Sequence, residues 1–217
     1  MQVKKKKNKK ISIQYPLVEL ATAILFVLVY NFICPILTSY QYISVLYLFY
    51  ISAVLIIIFV YDLKHYIIPD RILFPAIIIS LIYNLIPPIS GGDTMHQIIY
   101  SFLAAVIASG FFLIIFLLSK GKAMGFGDVK LAILMGFLLG FPSILVALFL
   151  AFLLGSIIGL LGSIIGVALM VIPARAGGEK KSLKSEIPFG PFLITGTFIA
   201  IFWGEQIIQW YLNFFKI

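Results

Sequence analysis

A chain of 217 residues that is 62% hydrophobic and only 11% charged, with a mean hydropathy of +1.14, cannot cover a soluble globule with polar surface. Composition therefore excludes a cytosolic domain and predicts an all-α integral membrane protein. The formal net charge of +8 is spread in short basic clusters between apolar runs, which is the pattern of membrane topology; a nucleic-acid partner is not expected. The only cysteine, Cys34, lies in an apolar run, so neither an internal disulfide nor a multi-cysteine zinc site is available, and a buried thiol is expected.

In chain order, "MQVKKKKNKK" opens a basic cytoplasmic tail over residues 1–14, followed by "YPLVELATAILFVLVYNFIC". This apolar run is about twice as long as a signal-peptide core and lacks a small-x-small cleavage site. It also holds Glu19, so it reads as a retained first helix. Further spans are expected at about 43–61, 71–89, 97–118, 128–141, 142–172 and 187–212, and residues 15–217 are read as a single transmembrane domain. Alternating the connections across the bilayer puts every Lys and Arg except Lys216 on one side, in the tail, 62–71, 119–130 and 173–186. The opposite connections, "PILTSYQY", "PPISGGDTMHQ" and "GFPS", contain none. The expectation is a bundle of about seven transmembrane helices with a cytoplasmic N-terminus.

The fifth span is short. Its 14 residues (128–141) reach about 21 Å, less than the hydrocarbon thickness of about 30 Å. If its far end lies at the outer interface near Gly140 and Pro142, its near end, Asp128, is recessed inside the bundle. The sixth span is correspondingly overlong and must tilt or project. Its Gly155, Gly159, Gly162 and Gly166 form small-xxx-small pairs expected to admit a neighbouring backbone.

Eight acidic residues remain to be placed. Glu179 and Glu186 fall in a polar loop, Asp93 is a turn residue beside Gly91 and Gly92, and His96 is loop polarity. Glu19 and Glu205 lie in apolar spans, where a structural polar contact between helices is expected. His65 and Asp70 share the loop after the second span, and a lone histidine there is a poor metal site.

Asp62, in "FVYDLKHYIIPD", closes the second span and Asp128, in "GFGDVK", opens the fifth, so topology brings both to the cytoplasmic end. Two carboxylates in a recessed, partly hydrated site are the minimal apparatus of an aspartic protease, one drawing a proton from water and the other polarising the scissile carbonyl. No metal or cofactor is needed. The glycines Gly125 and Gly127 would allow unusual backbone dihedrals and close approach of a substrate backbone. A plain helix-start cap is the alternative role for Asp128. Helix direction further makes Asp128 the resting base and Asp62 the resting acid, because an N-terminus favours an anion and a C-terminus does not.

Five stretches taken together, "YPLVELATA", "YDLKHYIIPDRI", "MGFGDVKLA", "EIPFGPFLITGTFIA" and "GEQIIQWYL", resemble the type IV prepilin peptidase family in order and separation, from Tyr15 to near the C-terminus. The resemblance implies an aspartic endopeptidase of the inner membrane with Asp62 and Asp128 as the catalytic pair. Gly125, Gly127 and Lys130 then support the motif. It also implies prepilin or pseudopilin substrates, whose short basic leader ends in Gly ahead of an apolar helix, cut at the cytoplasmic face. Long bacterial members carry two CxxC pairs in a segment associated with N-methylation. This chain has "MQVKKKKNKKISIQ" in that place, so it resembles a short form for which methyltransferase activity is not expected. The six lysines of the tail suit anionic lipid headgroups, with topology anchoring as the simpler role.

Two other classes share part of this pattern. A presenilin or signal-peptide-peptidase type of GxGD protease shares the "YD" and "GxGD" words but carries a PAL motif where this chain has "PFGP". A non-enzymatic proton-coupled transporter predicts polar residues continuing across the membrane, and none follow Asp128 in "VKLAILMGFLLG".

Overall fold

The computed structural model describes residues 14–33, 42–85, 94–122, 124–171 and 188–215. Residues 1–13 of the tail, Cys34, Asp93, Glu179, Glu186 and Lys216 lie outside them, as do the surroundings of Gly162 and Gly166. The described residues hold seven helices and no strand: α1 (Gln14–Ile33), α2 (Tyr42–His65), α3 (Asp70–Leu85), α4 (Thr94–Leu118), α5 (Phe126–Leu139), α6 (Ser143–Val171) and α7 (Gly190–Phe214). The all-helical membrane architecture expected from composition is thus present. Four segments, Tyr42–His65, Met95–Leu118, Ser143–Leu161 and Gly190–Phe214, are long and apolar enough to cross a bilayer.

The chain divides into two compact units, Met1–Ala53 and Val54–Ile217, with α2 running from one into the other. In the first unit, Phe26 of α1 and Phe49 of α2 pack with ring centroids 5.0 Å apart. The second unit contains the remaining helices and both Asp62 and Asp128.

Helix α5 is the axis of the second unit, touching α3, α4, α6 and α7. Its buried residues include Asp128, Val129, Leu131, Ala132, Leu134 and Met135, which point to more than one side, and this explains its shortness. A helix wrapped by others need not span the hydrocarbon by itself, since its end groups find partners in protein. At its far end, Gly140 adopts φ 65 and its N–H bonds the Gly136 carbonyl, closing the helix. The orphan carbonyl of Phe137 is met by the Asn84 side chain of α3 at 2.9 Å. Asn84 also bonds the Ser80 carbonyl at 2.8 Å and accepts from the Ser101 hydroxyl of α4 at 2.9 Å.

Close helix approach is made by glycines other than those expected. A Cβ on Gly136 of α5 would overlap the backbone of Ala105 in α4, and one on Gly196 of α7 would overlap the Ala147 carbonyl of α6. In α6 itself, Gly155 leaves room for the Phe189 and Phe192 rings, whereas Gly159 faces open space. Of the sixth-helix glycines whose surroundings are described, the expectation is therefore corrected at Gly159, while Gly155 admits rings of the α7 segment and no backbone. Where α6 and α7 backbones do meet, the glycine is Gly196 of α7 and α6 presents Ala147 and Ala151.

Candidate active site

Five helix ends meet around one cleft. Helix α2 runs a full turn beyond its expected end, so Asp62 lies within its last turn, and the Tyr66 N–H bonds the Asp62 carbonyl at 2.8 Å. Tyr66 itself has φ 58, a left-handed conformation that stops the helix and turns the chain. Only residues 66–69 then separate α2 from α3, whose first residue is Asp70. The expectation that His65 and Asp70 share a loop is corrected: each belongs to a helix end, and His65 stacks on Tyr61 with centroids 4.3 Å apart.

Asp62 and Asp128 line the same cleft, of about 520 Å3, with Tyr66, Ile68, the 124–127 stretch, Pro188 and Phe189. Both carboxylates are nearly enclosed, at 4% and 7% exposure, and they lie near enough to act on each other electrostatically. Burying two like-charged groups together is unfavourable unless they share protons or are solvated through an opening.

Each carboxylate has one backbone partner. The Gly125 N–H is directed at Asp128, while the Asp128 N–H bonds the Gly125 carbonyl at 3.2 Å. Gly125 is the N-cap of α5, so Asp128 closes the start of its helix in the manner of the acidic member of a capping box. The capping position and a place in the cleft therefore coexist in one side chain. Asp62 receives the N–H of Gly190, the first residue of α7. A helix N-terminus thus faces each aspartate, so helix direction alone does not separate base from acid.

The supporting residues behave differently from expectation. Gly125 has ordinary extended dihedrals, φ −75 and ψ 149, so no unusual backbone conformation is used there. Gly127 matters for space: a Cβ would lie 3.0 Å from Cβ of Ile68. Lys130 turns away to Asp70, its Nζ 2.8 Å from each carboxylate oxygen and 5.2 Å from the ring centres of Phe74 and Phe126. It ties α5 to α3 at the cleft rim. Glu19 and Glu205 are exposed, and among the described residues neither bonds another helix, which corrects the expected interhelical contacts. Among the described residues, no group of three or more His, Cys, Asp or Glu comes together.

Sequence reasoning missed Ile68, Phe189 and Gly190 as parts of the site. The quoted "PFGP" held a signal, a glycine between prolines at the head of a helix, but nothing local says which side chain it will meet.

A cleft with two enclosed carboxylates at the end of a helical membrane bundle defines the class: a multi-pass membrane protein with an aspartate-pair site. The model of the type IV leader peptidase family matches residues 48–160, more than half the chain and inclusive of both aspartates, and the chain belongs to that family. It is 31% identical over 204 residues to a prepilin leader peptidase/N-methyltransferase of Aeromonas salmonicida strain A449, covering 94% of this chain and 62% of that protein. Proteins of the same name from Legionella pneumophila, 31% identical with 94% and 63% covered, and Pseudomonas aeruginosa, 31% identical with 93% and 62% covered, are similar. The chain thus spans a little over three fifths of the length of these relatives. No solved structure matches it. Family membership disfavours the presenilin-type and transporter readings.

Proposed function

We propose that this protein is an aspartic endopeptidase that removes the leader peptide from prepilins or pseudopilins at the cytoplasmic face of the inner membrane. The observation that carries the proposal is the enclosure of Asp62 and Asp128 in one cleft, in a chain of the leader peptidase family. In the reaction, the ionised carboxylate takes a proton from water while the protonated one donates a hydrogen bond to the scissile carbonyl. Water oxygen attacks the carbonyl carbon to give a tetrahedral intermediate, and its collapse breaks the C–N bond as a carboxyl proton passes to the leaving amine. Neither a covalent enzyme intermediate nor a cofactor enters these steps. Gly125 and Gly127 keep the Asp128 side of the cleft low, and Lys130 holds its rim.

The cleft volume falls within the range of small-ligand pockets, about 300–1,000 Å3. The substrate's apolar helix reaches it from the membrane, with the short basic leader on the cytosolic side. The lysine-rich tail adds attraction to anionic headgroups. The relatives' name from Aeromonas salmonicida suggests the substrate class, prepilins.

The test is co-expression with a candidate prepilin and a gel shift for leader removal. Cleavage is expected with the wild type and abolished in Asp62→Ala and Asp128→Ala proteins that still insert. Retained cleavage in either variant sinks the proposal.

A further inference from the structure

We propose that Gly190 is a positioning residue for Asp62: its missing side chain leaves the space in which the carboxylate sits, and its N–H orients that carboxylate. The inference rests on the peptidase reading for its catalytic consequence but stands on contacts that can be tested without activity. A Cβ built on Gly190 would overlap Oδ2 of Asp62 and lie 3.2 Å from its Cγ, and the next atom it meets is Cδ1 of Ile68 at 3.6 Å. The obstruction is therefore specific to the carboxylate. Glycine is a weaker helix former than alanine, so its use in the first turn of α7 needs a reason outside the helix, and Asp62 supplies one.

The start of α7 is not free to step aside. The Phe189 ring packs against Phe152 at 5.1 Å and Phe112 at 6.1 Å between centroids, and against Phe192 at 6.2 Å. Phe112 is fully buried, and Gly155 closes the other side, where a Cβ would lie 3.3 Å from the Phe189 ring. Pro191 follows with no N–H of its own, leaving Gly190 as the donor to Asp62. With the backbone pinned by the aromatic cluster, an added methyl group must displace the carboxylate. Ile68 reaches both glycines, Gly190 and Gly127, so the same side chain abuts the α7 start that faces Asp62 and the α5 start that carries Asp128.

The experiment compares Gly190→Ala with Gly196→Ala, a glycine of the same helix whose Cβ meets only α6 backbone. In cleavage of a purified prepilin, Gly190→Ala is expected to lower kcat about 100-fold with KM unchanged, the scale of a misplacement near 1 Å. Gly196→Ala is expected to lower Tm while the folded protein keeps its kcat. A wild-type kcat in Gly190→Ala overturns the proposal, and cleavage retained in Asp62→Ala overturns the peptidase reading instead. A stability cycle separates the two. The Tm loss caused by Gly190→Ala is expected to vanish in the Asp62→Ala background, where the obstruction is gone. If Gly190→Ala fails to fold alone but folds with Asp62→Ala, the contact is supported; an equal loss in both backgrounds overturns it.

Discussion

At the scale of single residues, small side chains around the carboxylates do their work by occupying little space. Gly127 lies one residue before Asp128, and alanine there would sit 3.0 Å from Cβ of Ile68, so a neighbour must move by a few tenths of an ångström. The Ile68 Cβ is tied to its backbone and yields less readily than a flexible chain end. Gly127→Ala is expected to reduce kcat roughly tenfold, as a smaller misplacement than the ångström-scale case; kinetic assay of the purified variant checks this. Its Tm should hold, because alanine improves the helix. Lys130 is the contrasting case. Its partner Asp70 is 52% exposed at the side chain, so Lys130→Gln is expected to cost only about 0.5 kcal/mol in thermal unfolding, and to leave measurable cleavage. Abolished cleavage in a stable Lys130→Gln protein would place the lysine in the reaction instead of at the rim.

At the scale of elements, the cleft exists because five helix ends are held at fixed separations by contacts far from the aspartates. Gly136 lets α5 lie directly on the backbone of Ala105 in α4, and the Asn84 cluster ties the same helix to α3 and α4 beside it, at the end away from Asp128. Gly136→Ala drives a Cβ into main-chain atoms that have no rotamer to change, and overpacking of this kind costs about 1–3 kcal/mol. Gly159→Ala meets nothing within 4 Å, so its effect is expected to stay within about 0.5 kcal/mol. Thermal unfolding of both variants in detergent measures the difference. Similar losses would mean that α4 and α5 are not in backbone contact.

At the scale of the whole molecule, the distribution of Lys and Arg predicts that the cleft opens to the cytoplasm. With Cys34 replaced by serine, a single cysteine at Lys122 beside the cleft is expected to react with a membrane-impermeant maleimide only after the cytoplasmic face is exposed. One at Phe141, at the other end of α5, is expected to react from outside in intact cells. The reversed pattern would invert the topology and move the proposed cleavage to the other face.

The sequence by itself determined the membrane class, the seven helices of the described residues and the family, because apolar length, charge clustering and five ordered motifs are local properties of the chain. It also gave the reason to expect Asp62 and Asp128 at one end of the bundle, since two crossings, α3 and α4, separate the α2 end from the α5 start, and an even number returns the chain to the same side. Only the tertiary structure decided which small residues matter. Gly125, expected to use special dihedrals, takes ordinary ones; Gly159, expected to pack, faces open space. Gly190 meets a carboxylate that is 128 positions away in the chain only because Phe189 is locked among rings from α4 and α6. A glycine's role depends on what stands where its Cβ would be, and that neighbour is set by packing between helices, which no periodicity along one helix encodes.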